Sequence, residues 1–466
     1  MLAAPEDIIH RLRRHHQEHV LHGWEGLSAE ERAALIQQLA GIDLSQLESL
    51  YVRRHEPHTL LPPREVIEPL PVEDAASLTA STRSRGEAAL RAGEVAVLLV
   101  AGGQGSRLGF DKPKGMFPIG PISRASLFQI HAEKVLALSR KYGRAIPFLI
   151  MTSPATHADT VAYFNDHRRF GLGSEQVIFF QQGTMPALDF ATGKLLLEKP
   201  GQLHLSPNGH GGTLMALSDS GLLADLRAVG VRHIFYFQVD NPLVAIADPA
   251  FIGRHLETES EFSSKVIDKE RPEEKVGVFA RIRGRCGILE YSDMPAEMAA
   301  ERGADGQLLF RAGNPAIHLF RLDFLERVTS GVDRLGYHLA RKKVPYYDLE
   351  TGKVIQPTTE NALKFELFIF DALPLAERTL AIRVGRNDEF APVKNATGID
   401  SPASCQKLLR EQAARWLESA RISVPRLADG EVAVPLEISP LFALTAEELA
   451  ARLPSNFQVT GPTFLG

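Results

Sequence analysis

Hydrophobic and polar positions fall into three regimes along the chain. Residues 5 to about 55 carry apolar positions at helical spacing, with Ser28-Ala29-Glu30-Glu31 as a capping box ahead of Ala33, Leu35 and Leu39. Residues 56–85 hold Pro57, Pro62, Pro63, Pro69 and Pro71 and read as a connector, extended in part. From Glu94 short apolar runs alternate with helical stretches: strands over 95–101, 147–151, 177–180 and 234–239, and helices over 125–142 (ended by Gly143), 156–166 and 213–228. Apolar strands separated by helices predict an α/β fold with a mostly parallel sheet, whose ligands bind at the carboxyl ends of its strands. After about 385 the pattern shifts to a helix over 401–417 and a mixed tail with Pro425, Pro435 and Pro440. The expected division is an N-terminal helical region over 1–92, a catalytic domain over 93–385 and a smaller C-terminal domain over 386–466.

Composition narrows the class of function. A chain of 466 residues, 44% hydrophobic, can bury a large core and more than one domain. A net charge of −5, from 52 basic and 57 acidic residues, lacks the basic excess of a nucleic-acid binder. Two distant cysteines, Cys286 and Cys405, imply no disulfide framework and fit a reducing cytosol. Glu6 and Asp7 argue against a signal peptide, and no apolar run approaches the ~20 residues that span a bilayer. The expectation is a soluble, cytoplasmic protein; the oligomeric state is not readable. His15 and His19, four apart, could in principle share a metal, but Arg11, Arg13 and Arg14 repel a cation, and a solvated helix face is the simpler reading.

The chemistry concentrates where the first of these strands ends. Leu98-Leu-Val-Ala101-Gly102-Gly103-Gln-Gly105-Ser-Arg107-Leu108-Gly109 leads on to Lys112-Pro-Lys114-Gly115. A buried strand here feeds a loop of bare backbone amides, flanked by Arg107 and Lys114, which suits a polyphosphate. It is not the dinucleotide fingerprint, because Leu108 stands where Gly or Ala is needed, nor a P-loop, because Lys114-Gly115 reverses the Gly-Lys order. A plain glycine turn is the weaker reading, given four glycines in the eight residues 102–109.

Two further segments have both a structural and a functional reading. Asp240 ends the 234–239 strand and precedes Asn241-Pro242. It reads alone as a turn cap; beside a phosphate loop it reads as a Mg²⁺ ligand. Ser206-Pro-Asn208-Gly209-His210-Gly-Gly-Thr213 is a second glycine loop, either a linker before a helix or a backbone contact for a flat ligand, with Gly209 allowing close approach.

The loop at 101–115 resembles the signature of sugar-nucleotide pyrophosphorylases, A-G-G-x-G-T/S-R-L-G followed by P-K. Its long form is similar to the eukaryotic-type UDP-N-acetylglucosamine pyrophosphorylases and their UDP-sugar relatives. Further matches are Phe179-Phe-Gln-Gln182-Gly, Val239-Asp240-Asn241, Asp388-Glu-Phe-Ala-Pro-Val-Lys394-Asn-Ala396 and the late Leu436-Glu-Ile-Ser-Pro-Leu441. The likeness runs from about 95 to 445. It implies a Rossmann-like nucleotidyltransferase domain that forms UDP-sugar and pyrophosphate from UTP and a hexose 1-phosphate with Mg²⁺. Arg107, Lys114 and Lys394 would meet the phosphates, and Asp240 the metal. Ala101, Gly102, Gly103, Gln182 and Gly209 would hold the nucleotide. His210, Gly277, Glu290, Asn314, Phe368 and Phe370 would line the sugar pocket, although alternating Phe also reads as a buried face.

Three positions depart from the N-acetylglucosamine pattern. The family's P-D-G-N-G-G has Asn208 for Asp and His210 for Asn, and G-H-G is what UDP-glucose and broad UDP-sugar enzymes show. The Asn that precedes the pocket His is Ile317 here, ahead of His318. N-acetylglucosamine 1-phosphate is the expected sugar, with glucose 1-phosphate next because of His210. Two other classes compete. A non-catalytic nucleotide-sugar binder would be expected to lack Arg107, Lys114 or Lys394, and an oxidoreductase is opposed by Leu108.

Overall fold

A computed structural model describes residues 4–55, 61–330 and 335–466. Pro57 of the expected connector lies outside the described residues. The chain divides into two compact units. One is assembled from the described parts of Met1–Leu60, Gln182–Met215 and Arg334–Asp371, and the other from Leu61–Gln181, Ala216–Asp333 and Ala372–Gly466.

The larger unit is built on a mixed sheet with a mainly parallel course. Val95–Val100 lies between His233–Gln238 and Phe148–Thr152, with Val177–Gln181 outside, all parallel. The first three of these strands are almost wholly buried, which is why they read as unbroken apolar runs. His318–Arg321 runs against His233–Gln238, and Phe262–Asp268 runs against it in turn, so Phe262–Asp268 recovers the parallel direction, shared by Thr379–Arg383. These six strands therefore end at one carboxyl edge. An antiparallel group, Val278–Ile282 with Arg285–Leu289, extends the sheet further. The alternation did not reveal these later strands, which are short and interrupted by charged residues.

The helix Leu127–Tyr142 covers this sheet. Ser126 caps it by accepting the Gln129 N–H at 3.1 Å. Two expectations are corrected. The connector ends early, in a helix over Ala80–Ala92 that crosses Pro249–Glu257. A Cβ on Gly86 would stand 1.9 Å from the Pro249 carbonyl oxygen, and one on Gly253 1.7 Å from that of Thr82, so glycine marks a backbone crossing here rather than a loop. The helix expected over 213–228 is two, Gly212–Asp219 and Leu222–Ala228, parted at Gly221 (φ 77°). The C-terminal stretch adds a helix over Pro402–Ser419 and a cluster around Leu417, Leu436 and Leu449. Its Glu437 carboxylate accepts the Ile122 and Ser123 N–H groups at 2.6 and 2.7 Å, so the Glu-Ile-Ser-Pro motif anchors a loop.

In the smaller unit the helices Glu6–Arg14, Ala29–Ala40 and Leu44–Val52 share a core with Leu188, Leu197, Leu203, Leu363 and Phe365. The capping box at Ser28 forms as read. His15 and His19 do not share a helix face, because the helix ends at Arg14. His15 pairs with Glu48, and His19 reaches the Leu195 carbonyl at 2.8 Å. Among the described residues no helix is long and apolar enough to cross a membrane.

Candidate active site

The expected site residues gather in three groups, two in the larger unit and one in the smaller. The first lies at the carboxyl edge of the parallel strands. Ala101 is buried, and its N–H donates to the Met151 carbonyl at 2.8 Å, which continues the sheet to the mouth of the loop. Beyond it, Gly103 is exposed, and a Cβ there would meet nothing within 4 Å. Gly105 differs, since its Cβ would stand 2.7 Å from the Phe110 carbonyl oxygen. The protein's own packing therefore requires glycine at 105 but not at 103. The Gly103 carbonyl accepts the Lys114 N–H at 3.0 Å, which folds the basic end of the loop back over its start. Arg107 is exposed on the turn Ser106–Leu108.

Lys114 Nζ lies 3.5 Å from Asp240 Oδ2, and both side chains are largely buried. Asp240 follows the strand adjacent to the loop strand, and their adjacency is set by the parallel register of Gln238 with Val100. On its other side, the Asp240 carbonyl accepts the Val393 N–H at 2.9 Å. Lys394 is thus one residue from a direct link to Asp240. Its own N–H and that of Asn395 both donate to the Asp400 carbonyl, at 2.6 and 2.9 Å, closing a tight loop around Asp400 (φ 57°). Burial pushes the Asp400 carboxyl up, opposed by the nearby Lys394 ammonium.

The second group sits on the antiparallel strands. Asn314 donates its N–H to the Gly277 carbonyl at 2.9 Å, and a Cβ on Gly277 would stand 3.0 Å from Glu290 Oε1. The Asn314 Oδ1 accepts the Ala316 N–H at 2.9 Å, so its NH₂ is the end left to meet a hydroxyl. The departure at Ile317 is a core residue, and His318 is buried and bonded to Ser264 Oγ at 2.9 Å.

The third group belongs to the smaller unit. Gln182 is buried at the start of its central stretch. Gly209 has φ 84°, and a Cβ there would stand 2.5 Å from the Leu367 carbonyl oxygen, so this glycine is required by folding alone. The packing of 209–212 on 366–368 sets His210 against Phe368 and Phe370, with both ring centroids at 5.5 Å. Both aromatics are half-buried and stack on each other, so they are neither plain core nor plain surface. Burial lowers the His210 pKa to about 4, so the ring is neutral. Its Nδ1 accepts the Ile369 N–H at 3.3 Å, which leaves the ring proton on Nε2 as a donor. His338, paired with Asp371 at 2.7 Å, also packs its ring on Phe368.

Two polar residues around Asp240 and Lys394, Asp248 and Lys265, escaped the sequence reading, while Asn241 and Glu389 were visible there only as letters of the Val-Asp-Asn and Lys394 motifs. Lys265 is fully buried in a strand that also carries Ser263, Ser264 and Asp268, so no local apolar pattern marked it.

A parallel sheet whose carboxyl edge presents an open glycine loop, a Lys–Asp pair and a tethered second lysine defines an α/β protein built to bind phosphate groups. The profile of the UTP–glucose-1-phosphate uridylyltransferase family matches residues 51–422. UDP-N-acetylglucosamine diphosphorylase 2 of Arabidopsis thaliana is 37% identical, over 96% of this chain and 92% of its own length. The uridine diphosphate N-acetylglucosamine pyrophosphorylase of Trypanosoma brucei, solved with an inhibitor, superposes with a TM-score of 0.81 at 31% identity, covering 97% of this chain and 95% of its own. The UDP-glucose pyrophosphorylase of Leishmania major shares the fold at 18% identity, with a TM-score of 0.62 over 91% of this chain and 87% of its own. The chain belongs to the UTP–glucose-1-phosphate uridylyltransferase family.

Proposed function

We propose that this protein transfers a uridylyl group from UTP to a hexose 1-phosphate, foremost N-acetylglucosamine 1-phosphate, releasing pyrophosphate. The observation that carries the reading is the edge where an open glycine loop, Lys114, Asp240 and Lys394 are tied together. A sugar-phosphate oxygen attacks the α-phosphorus, the bond to the β-phosphate oxygen breaks, and pyrophosphate leaves. Such chemistry is positioning and charge neutralisation and needs no protein nucleophile. Arg107 and Lys114 neutralise the departing pyrophosphate, and Lys394 the α-phosphate. Ala101, Gly102 and Gly103 present the loop to the phosphates, and Gln182 offers the donor and acceptor that a uracil edge requires.

Mg²⁺ belongs to the same reading. Asp240 fits it, because Mg²⁺ at phosphates takes one or two protein carboxylates and fills its other positions with phosphate oxygens and water. Bound there, the ion would supply charge neutralisation to the phosphates. Among the described residues no group of three or more His, Cys, Asp and Glu side chains forms an all-protein cage, which that mode of binding does not require. The buried, free thiols of Cys286 and Cys405 suit cytoplasmic residence.

Glucose 1-phosphate is the second reading, and His210 favours it. Against it, His210 presents an N–H donor, as the amide of the family's Asn would. The test is pyrophosphate release from UTP and Mg²⁺ with the 1-phosphates of N-acetylglucosamine, glucose, galactose and N-acetylgalactosamine in parallel. Release fastest with N-acetylglucosamine 1-phosphate is expected. Faster release with glucose 1-phosphate overturns the sugar assignment. No release from folded protein that still binds UTP overturns the activity.

A further inference from the structure

Asn241 joins the Asp240 strand to the Lys394 segment. Its side-chain Nδ2 donates to the Glu389 carbonyl at 2.7 Å, and its Oδ1 accepts the Ala391 N–H at 3.0 Å. One amide thus bonds the C=O and the N–H on either side of Phe390, the pattern by which a peptide group joins a parallel strand. The side chain takes the role of backbone where the backbone cannot continue the ladder, since the next residue is Pro242, which has no N–H. The third rung is the bond from Val393 N–H to the Asp240 carbonyl. Residues 389, 391 and 393 are therefore fastened to 240 and 241, and Lys394 follows at once.

The far end of this splice is fixed by charge. The Glu389 carboxylate accepts the Ala245 N–H at 3.2 Å and pairs with the Lys265 ammonium, which also lies 3.0 Å from Asp248 Oδ2. Lys265 is fully buried, and Asp248 in turn caps the helix Pro249–Glu257. From the other side Lys134 donates to the Pro242 and Val244 carbonyls. Removing one member of so buried a cluster leaves the others' charges uncompensated, so the ends of the splice cannot shift independently.

We propose that Asn241 is a positioning residue that sets the separation of Lys394 from Asp240, with the Glu389–Lys265 pair as its anchor. Asn is the side chain that fits, since an amide alone offers donor and acceptor in one plane at this reach. Asp is isosteric but loses the donor and turns a carboxylate toward the Glu389 carbonyl. This inference rests on the uridylyl-transfer reading, because its consequence is the placement of two phosphate-facing groups.

The test measures pyrophosphate release and UTP affinity for wild type, Asn241→Ala, Asn241→Asp, Lys394→Ala and Asn241→Ala/Lys394→Ala. A displacement of about 1 Å at a reacting centre costs about 10²-fold. Asn241→Ala and Asn241→Asp are each expected to lose about 10²-fold in kcat, with UTP affinity within about threefold of wild type. In the Lys394→Ala background the Asn241 change is expected to cost less than about threefold, since the group it positions is gone. A kcat of about 10 s⁻¹ for a typical enzyme leaves a 10⁴-fold loss readable at micromolar protein. The same fractional loss in both backgrounds overturns the proposal, as does an Asn241→Asp variant as active as wild type. If Asn241→Ala does not fold, Glu389→Gln, isosteric at the anchor, enters the same cycle with the same two outcomes. An inactive wild type refutes the uridylyl-transfer reading instead and is recognised before any variant is made.

Discussion

Replacing Lys114 with methionine tests the phosphate site directly. Methionine keeps most of the side-chain volume and removes the charge. In the free protein the ammonium and the Asp240 carboxylate are 3.5 Å apart. At an effective dielectric constant near 20 their attraction is about 5 kcal/mol before desolvation, and a net worth on the order of 1–3 kcal/mol follows once both groups' lost hydration is counted. The catalytic consequence is separate. A fixed donor aimed at developing phosphate charge contributes about 2.7–4 kcal/mol, or 10²–10³-fold. Lys114→Met is therefore expected to lose about 10²–10³-fold in kcat/KM for UTP. Thermal unfolding would report the first quantity and pyrophosphate release the second. Activity within threefold of wild type would remove Lys114 from the phosphate site. A loss of activity that follows the loss of folded protein point for point would make the residue structural.

Three further expectations come from the geometry. Gly103→Ala should leave stability within about 0.5 kcal/mol, because no atom lies within 4 Å of the new Cβ, yet weaken UTP binding; Gly209→Ala should cost roughly 2–4 kcal/mol in denaturant unfolding, from a Cβ 2.5 Å from the Leu367 oxygen at φ 84°. His210→Asn keeps an N–H donor and should stay within about tenfold of wild type while raising the preference for the N-acetylated sugar, whereas His210→Leu should lose about 10–100-fold in kcat/KM; unchanged selectivity in the Asn variant would take His210 out of the specificity argument. Burial lowers His131 to about 3 and His233 to about 4. Between those values and the unfolded 6.5 the unfolded chain binds protons that the folded chain refuses, so stability rises with pH across this window and falls on acidification, by about 1.4 kcal/mol per pH unit for each histidine near pH 5. A melting temperature that does not change between pH 7 and 5 would contradict this.

What the sequence disclosed, and what it did not, follows from the range of the interactions. The loop strand and its glycines were legible because everything that defines them is local: an apolar run buried on both faces, then bare amides, then cations. The Ala80–Ala92 helix was missed because Gly86 answers to Pro249 across a crossing that no local pattern records. The strand Phe262–Asp268 was missed because Lys265 sits in it as a buried ion-pair partner, which periodicity scores as surface. Val-Asp-Asn and the Lys394 segment were each visible as motifs, but 148 residues separate Asn241 from Glu389, and only the fold makes them one object. His210 shows the same limit at the scale of a single proton. In the sequence, His for Asn reads as a change of sugar, because residue type is all that is visible. In the structure the Ile369 N–H, 159 residues away, occupies Nδ1 and leaves the ring proton on Nε2, so the replacement preserves a donor. Under the proposed function, the shape that Phe368 and Phe370 leave around that donor would then weigh more in the choice of sugar than the exchange of one polar side chain for another.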